Sequence, residues 1–339
     1  MAVVVSALLA APPVFAHHSF SPHFDANKPA NIFGTITRFE ARNPHSYLHI
    51  AAEDENGRTR EYVCESNGVT QLARIGLTPA VLKVGLTVRV RGSMSRHSAY
   101  MCFFNSVEFA DGRIMSASGA GTALGPATLP KRSDIFGTWL LAPTPGRSTS
   151  GPQPMIHSLT PAGEKATAAY DPFKDDPTFR CEPVGIRRLW FAPGTPVKIG
   201  RDGANIVLQY EWMDVKRVIH LDLKDHAKGG PRSSLGHSIG HFEGDTLVIE
   251  TANFSAGVMN QYVEEAGQPT KGLLHSAALT SVERLHLDAT RQRLVVDLDF
   301  VDSEFFTQPF PRATTEYAPS GLTIEPFNCS REGLTGTRK

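Results

Sequence analysis

The sequence lacks an excess of charge of either sign. Its 339 residues include 34 basic and 34 acidic side chains, so the formal net charge is zero. A protein that binds nucleic acid by bulk electrostatics usually has a basic excess, and we therefore expect no nucleic-acid partner. Hydrophobic residues make up 41% of the chain and charged residues 20%, a composition typical of a folded core rather than of a disordered chain.

Long hydrophobic runs are also lacking. Apart from the apolar start, no run approaches the ~20 residues that a membrane-spanning helix needs, so we expect no membrane span. Residues 1–16 read MAVVVSALLAAPPVFA and end in the small-residue pattern that signal peptidase accepts. We predict a signal peptide that is cut before His17, and hence a periplasmic or secreted location. A buried first strand or helix is the alternative.

Cysteine is scarce, with four residues and no CxxC pair, which argues against a zinc knuckle or a thioredoxin-type site. In an oxidising compartment an even number of cysteines favours disulfides. Four cysteines allow three connectivities. The pairing Cys64–Cys102 with Cys181–Cys329 keeps each bridge inside one predicted domain, and four buried free thiols are the alternative.

The pattern of the chain predicts an all-β protein of two domains. Residues 17–115 contain about five short strands and one helical turn that opens at Thr78, which suits a small OB-like barrel. Residues 116–133 are rich in Gly, Ala, Ser and Pro, a composition typical of a linker. Residues 134–333 contain repeated short strands separated by turn signals, which predict an antiparallel lipocalin-like β-barrel. Predicted strands of this second domain include Arg217–Leu223 and Ser238–Phe242.

Several runs of residues resemble known families. The segments AHHSFSPHFDANKP and GTITRFEARNPHSYLHI resemble the start of a family of exported bacterial proteins of unknown function. In the second domain, the runs LTPAGEKA, DDPTFRCEP, GHSIGHFEGDTLVIET, HSAALTSVERL and FTQPF resemble a companion family, also uncharacterised. The resemblance implies no activity. The chain also has no GxxxxGK[ST] motif and no HExxH motif, so the sequence gives no indication of a P-loop nucleotide-binding protein or a zinc protease.

Histidines near the predicted cleavage site suggest a metal. If His17 becomes the N-terminus, its amine and ring supply two nitrogen ligands, and a second histidine completes a three-nitrogen brace that suits copper. His45 and His49 are four residues apart, so on one strand they would face the same side. The alternative is a mobile leader followed by an Asn-Pro-His turn that bonds its own backbone.

A second group of residues suggests acid–base chemistry. His220 and Asp222 lie two apart on a predicted strand, where a carboxylate can orient an imidazole and raise its basicity. His275 is a further candidate for proton transfer, with Glu211 and Arg217 as orienting or electrostatic groups. A structural network of hydrogen bonds and ion pairs is the alternative.

Side chains that would line a ligand site form a third group. The candidates for substrate binding are Trp212, His237, His241 and Glu283. The strand that carries His237 and His241 is followed by Glu243-Gly244-Asp245, a sequence typical of a hairpin turn. A purely structural role for these turn residues is the alternative.

From these patterns we predict an enzyme that binds a small, largely apolar molecule in the second barrel. It would need no organic cofactor, because hydration, elimination, isomerisation or cyclisation requires only positioned histidine and carboxylate groups. The alternatives are a non-catalytic periplasmic binding protein and a copper protein. A homodimer is possible as well.

Overall fold

The computed structural model describes residues 23–117, 129–142, 158–171, 174–192, 194–260, 264–265, 268–269 and 272–331. The predicted signal peptide and His17 lie outside these residues, as does most of the predicted linker. Strands make up 47% and helices 10%, which confirms the all-β prediction. No helix within the described ranges is long and apolar enough to span a membrane.

The first part of the chain forms a six-stranded sheet with the order β3-β2-β1-β4-β5-β6. An additional parallel pairing joins β3 to β5, so the sheet curls back on itself. The buried sides of the strands enclose a core that includes Ile36, Leu48, Val90 and Phe104. The strands are β1 (Phe24–Glu40), β2 (Ser46–Glu53), β3 (Thr59–Ser66), β4 (Thr87–Ser95), β5 (Met101–Phe109) and β6 (Ile114–Ser116).

One helix of this part lies where the sequence did not predict it. α1 (Val69–Arg74) begins after Gly68 and has only six residues, too few for a helical hydrophobic period to be recognised. The Thr-Pro signal at Thr78 instead makes a single turn, in which the amide of Leu82 donates to the Thr78 carbonyl over 2.9 Å.

The second part forms a closed barrel of nine strands, in the order β10-β11-β12-β17-β18-β19-β7-β8-β9. Neighbouring strands pair antiparallel except β10 and β11, which pair in parallel over two residue pairs. The prediction of an antiparallel barrel therefore missed this seam. In chain order the barrel strands are β7 (Gly137–Leu141), β8 (Val197–Asp202), β9 (Asn205–Tyr210), β10 (Lys216–His220), β11 (His237–Glu243), β12 (Thr246–Ala252), β17 (Thr280–Asp288), β18 (Arg293–Val301) and β19 (Ala313–Pro319). Outside the barrel lie β13 (Gly257–Asn260), β14 (Glu264–Glu265), β15 (Gln268–Pro269) and β16 (Leu273–His275).

Two helices and a separate strand pair lie beside the barrel strands. α2 (Pro161–Ala169) has Thr160 as its N-cap, whose Oγ1 accepts from the amide of Gly163 over 3.2 Å, and Pro161 at the first position. α3 (Ile186–Trp190) is short and three of its residues are hydrophobic and buried. β13 and β16 pair antiparallel with each other rather than with the barrel.

Both predicted disulfides are present. The Cys64–Cys102 bridge joins β3 to β5, and the Cys181–Cys329 bridge links two positions 148 residues apart in the sequence. Residues near Cys329 also contact the segment between β1 and β2, since Asn43 Nδ2 donates to the Phe327 carbonyl over 2.5 Å. The C-terminal segment is thus attached to both parts of the chain.

Candidate functional site

His275 is the best-placed group for chemistry among the predicted site residues. It ends β16, pairs with Gly257 of β13, and is 3% exposed. Its Nδ1 lies 2.9 Å from the carbonyl oxygen of Ser276. A carbonyl can only accept, so Nδ1 carries the proton and Nε2 keeps its lone pair.

The partner of that hydrogen bond is itself held in place. Asp302 accepts from the amide of Ser276 over 2.6 Å and from its hydroxyl over 2.7 Å. The same carboxylate accepts from the amides of Glu304 and Phe305 and so closes the turn after β18. The Ser276 peptide, and with it the orientation of the imidazole, is therefore fixed by a buried carboxylate.

The environment of His275 favours the neutral ring. Burial lowers the pKa of His275, and the Ser276 hydrogen bond and the Asp302 charge act against this to a smaller extent. A neutral imidazole with a fixed tautomer is a general base at physiological pH.

A cleft of about 380 Å³ lies against His275, within the size range of small-molecule sites. One wall is α2, and the other is the β13–β16 pair. α2 sits close to the turn after β18, because a Cβ at Gly163 would lie 2.3 Å from the Phe305 carbonyl oxygen. The cleft is lined by Ala166, Ala169, Tyr170, Asp175, Ala256, Gly257, Val258, Leu274, His275 and Phe305.

Glycine is needed beside the ring. A Cβ at Gly257 would lie 3.1 Å from His275 Nε2, closer than most real contacts of that kind. Gly257 also lines the cleft, so the absence of a side chain there leaves space beside Nε2. A second cavity of about 10 Å³, roughly the room of one water molecule, is also lined by His275 and Val258.

Tyr170, which follows α2, is a buried polar residue among those that line the cleft. Its hydroxyl is buried and has no hydrogen-bond partner among the described residues. Burial, and then the Asp176 carboxylate, raise the pKa of Tyr170, so the hydroxyl stays protonated. A buried donor without a partner costs about 1–3 kcal/mol, which is a reason to expect a ligand atom there. The sequence did not single out Tyr170, since a tyrosine that follows a helix carries no motif.

The other predicted catalytic pair does not form. β10 ends at His220, so Asp222 lies beyond the strand and is exposed. The expected strand Arg217–Leu223 is therefore too long, and no hydrogen bond joins these two described side chains. His220 instead stacks on His237 at 5.1 Å between ring centroids, on the outer face of the barrel.

Arg217 and Glu283 face the barrel interior. Arg217 Nη2 lies 2.6 Å from Glu283 Oε1 and its Nη1 lies 3.1 Å from Oε2, a bidentate pair that is buried on both sides. Trp190 Nε1 donates to Glu283 Oε2 over 2.5 Å. Ser238 and Thr251 accept further bonds from the guanidinium.

Aromatic side chains fill the space around this pair. Trp190 makes edge contacts with Tyr210 and with Tyr317, each at 5.4 Å between centroids. α3 inserts Trp190 at this level of the barrel, so side chains fill the interior here. The cleft that the structure provides lies beside β13 and β16 instead.

The remaining predicted residues have local partners. Glu211 is fully buried, binds the guanidinium of Arg74 and accepts from the amide of Glu325 over 3.1 Å, so it joins the barrel to α1. Trp212 is half-buried, with the Arg188 guanidinium 5.8 Å from its ring centroid. His241 is exposed and lies 3.2 Å from Glu243, so it does not line the barrel interior.

Two of the predicted copper ligands, His45 and His49, lie near different carboxylates. His45 lies one residue before β2, with its Nδ1 3.7 Å from Glu65. His49 is buried on β2, where its Nε2 lies 3.1 Å from Glu40; burial, and then the Arg38 charge, lower the pKa of His49. Across the described ranges, no three His, Cys, Asp or Glu side chains converge on a metal position. Because His17 lies outside those ranges, the copper brace stays a prediction.

One catalytic-looking motif has a structural explanation. Gly236 to Gly240 read GHSIG, which matches the G-x-S-x-G pattern of a nucleophile elbow. That elbow requires a sharp turn between a strand and a helix. Ser238 instead lies within β11, buried, with its Oγ 2.9 Å from Thr251 Oγ1 and 3.1 Å from Arg217. The motif therefore carries no nucleophile here.

Comparison with known proteins gives one match. A family model described as "Family of unknown function (DUF6152)" matches residues 4–102, under a third of the chain. No curated protein and no solved structure matches the chain. The match agrees with the resemblance of the N-terminal segments to a family of unknown function. Residues 4–102 are thus similar to DUF6152, and the His275 cleft lies outside the matched residues.

Proposed function

We propose that the protein is an enzyme that performs cofactor-free acid–base chemistry on a small, largely apolar molecule bound in the His275 cleft. The observation that carries the proposal is the position of His275, a buried histidine that lines a mostly apolar cleft. Its Nδ1–Ser276 hydrogen bond fixes the ring and leaves the electron pair of Nε2 unshared.

The reaction would use two groups of the chain. Nε2 of His275 takes a proton from the substrate, and the imidazolium that forms keeps its Nδ1 bond to Ser276 and gains stabilisation from the nearby Asp302 charge. Tyr170 donates a hydrogen bond to the substrate oxygen on which negative charge develops. Hydration, elimination, isomerisation and cyclisation can all proceed with one such base and one such hydrogen-bond donor.

The apolar walls support the substrate class. Ala166, Ala169, Val258, Leu274 and Phe305 would contact the body of the ligand, and burying apolar surface contributes about 25 cal/mol per Å². Among the described residues of the lining, Asp175 is the one carboxylate, and it is exposed. We therefore expect a neutral or weakly cationic molecule rather than an anion.

We also propose a fold type for each of the two domains and a location for the protein. The pairing β1-β2-β3-β5-β4 in a ring supports an OB-like N-terminal domain. The closed barrel supports a lipocalin-like second domain, although nine strands and one parallel seam depart from that type. Two disulfides support a periplasmic or secreted location, where such bonds persist.

A non-catalytic binding protein is the rival function, because the same cleft would serve it. Small molecules that co-purify with the protein can be identified by mass spectrometry and incubated with fresh protein. Conversion by the wild type and not by His275→Gln supports the enzyme. Equal binding to both proteins with no conversion by either would contradict it and leave the binding protein.

A further inference from the structure

The outer face of the barrel carries a histidine cluster that the proposed enzyme does not use. It comprises His220 at the end of β10, His237 at the start of β11, and His226 in the connection between these strands. His226 and His237 lie 5.2 Å apart between ring centroids, with their planes at 80°, and His220 stacks on His237. The Nδ1 atoms of His226 and His237 are 3.0 Å apart.

That distance fits two ligands of one metal ion. Two imidazole nitrogens bound at about 2.0–2.1 Å to the same ion, at angles between square-planar and tetrahedral, lie about 2.8–3.4 Å apart. Direct contact between the rings needs one of them to be a donor and the other an acceptor, whereas a metal uses both lone pairs. We propose that His226 and His237 bind a divalent transition metal through their Nδ1 atoms.

The site is held by the backbone around it. The residue after His226, Ala227, accepts from Asn253 Nδ2 over 3.2 Å, and Ser233 exchanges backbone bonds with Asn253 and Ser255. His237 lies on β11, paired with Ala252 of β12. Both ligands are therefore held near the C-terminal end of β12, and little chain entropy is lost on binding.

The chemistry of the ligands names the class of ion. Two neutral imidazoles suit Cu²⁺, Ni²⁺ and Zn²⁺ and do not suit Mg²⁺ or Ca²⁺, which prefer oxygen. No third protein ligand converges on the site within the described residues, so water fills the other positions. The order of affinity is Cu²⁺ above Ni²⁺ and Zn²⁺.

The site also has a structural consequence. β10 and β11 form the parallel seam of the barrel, with two residue pairs, and residues 221–236 cross between them. An ion that joins His226 in this crossover to His237 on β11 restrains the seam. Binding to the folded state alone stabilises it by mass action, so the metal raises the melting temperature.

Isothermal titration of the full-length protein with NiCl₂, ZnCl₂ and CuCl₂ tests the proposal. The variants are His226→Gln and His237→Ala, and the matched control is His241→Ala, an exposed histidine four residues after His237 on the same strand. Melting curves without metal show whether each variant folds.

The proposal predicts that each of the first two variants loses one bound ion, or binds it at least about tenfold more weakly, while His241→Ala binds like the wild type. It also predicts that Zn²⁺ raises the melting temperature of the wild type and of His241→Ala only. Unchanged stoichiometry and affinity in folded His226→Gln and His237→Ala would overturn it, since the ions would then bind elsewhere on the chain.

Discussion

His275 Nδ1 lies 2.9 Å from the carbonyl oxygen of Ser276, and this contact decides which ring nitrogen holds the proton. Asp302 fixes the Ser276 peptide from the other side through two bonds of 2.6 and 2.7 Å. The lone pair of Nε2 therefore lies in one orientation beside Gly257.

The first prediction concerns pH. Burial lowers the pKa of His275 from 6.5 in the folded protein, so the unfolded chain takes up this proton at higher pH than the folded one. The free energy of unfolding should then fall as the pH drops below about 6.5, and level off once the folded protein also binds the proton. Urea titrations of the wild type and of His275→Gln at neutral and mildly acidic pH measure this. In the variant, the free energy of unfolding should depend less on pH over this range. An identical pH dependence in both proteins would argue against a buried neutral His275.

Catalysis should show the same ionisation. Because the base form persists below pH 6.5, the acidic fall in activity of the wild type should lie below that value. An acidic limb centred above 6.5 would mean that another group is the base.

A second prediction concerns the space beside Nε2. Gly257→Ala places a methyl group 3.1 Å from that nitrogen and should reduce turnover by about 100-fold, because access to the base is blocked. Gly200→Ala is the matched control, since a Cβ there meets nothing within 4 Å. Diethylpyrocarbonate labelling of His275, measured by peptide mass spectrometry, should slow in the first variant and not in the second. Equal labelling in both would contradict the assigned route to Nε2.

Tyr170 should show opposite effects on stability and activity. Its buried hydroxyl lacks a partner among the described residues, so Tyr170→Phe should raise the free energy of unfolding by about 1 kcal/mol. The same change should slow turnover, since it removes the donor to the developing negative charge. Denaturant unfolding and rate measurements on one preparation test both. A loss of stability with unchanged turnover would assign Tyr170 to the core alone.

The Arg217–Glu283 pair should behave as a structural group. Removing one partner leaves a buried charge without its counter-ion, so Arg217→Ala or Glu283→Ala should each cost about 3–5 kcal/mol of stability. The double variant Arg217→Met with Glu283→Leu should recover much of that loss, because no charge is then left buried. Thermal unfolding of all three variants measures it. A single variant that keeps its stability and loses turnover would restore the catalytic role expected from the sequence.

Local patterns were enough to predict several features of the fold. Alternating apolar residues predicted the strands, and the even number of cysteines, with one bridge in each domain, predicted the pairs Cys64–Cys102 and Cys181–Cys329. Because side chains alternate along a strand, Arg217 and His220, three residues apart, face opposite sides of β10, and the structure buries Arg217 while leaving His220 partly exposed.

Other features depend on contacts that no local pattern carries. The site around His275 needs Tyr170 from the end of α2 and Gly257 from β13, which are far apart in the sequence. His220 and Asp222 were paired on the assumption that a strand continues to Leu223, whereas β10 ends at His220. The filling of the barrel by Trp190 depends on the short α3, which has no clear helical period in the sequence.

The most direct test of the account is the transfer of solvent hydrogen to a substrate by His275. Wild type, His275→Gln and His286→Ala, a histidine on β17 outside the cleft, are incubated in D₂O with an apolar small-molecule extract of the cells that produce the protein. Untargeted mass spectrometry then records compounds that gain deuterium. The account predicts deuterated compounds with the wild type and with His286→Ala, and a loss of about 100- to 10,000-fold in rate with folded His275→Gln. Deuterium incorporation at the wild-type rate in folded His275→Gln would contradict it.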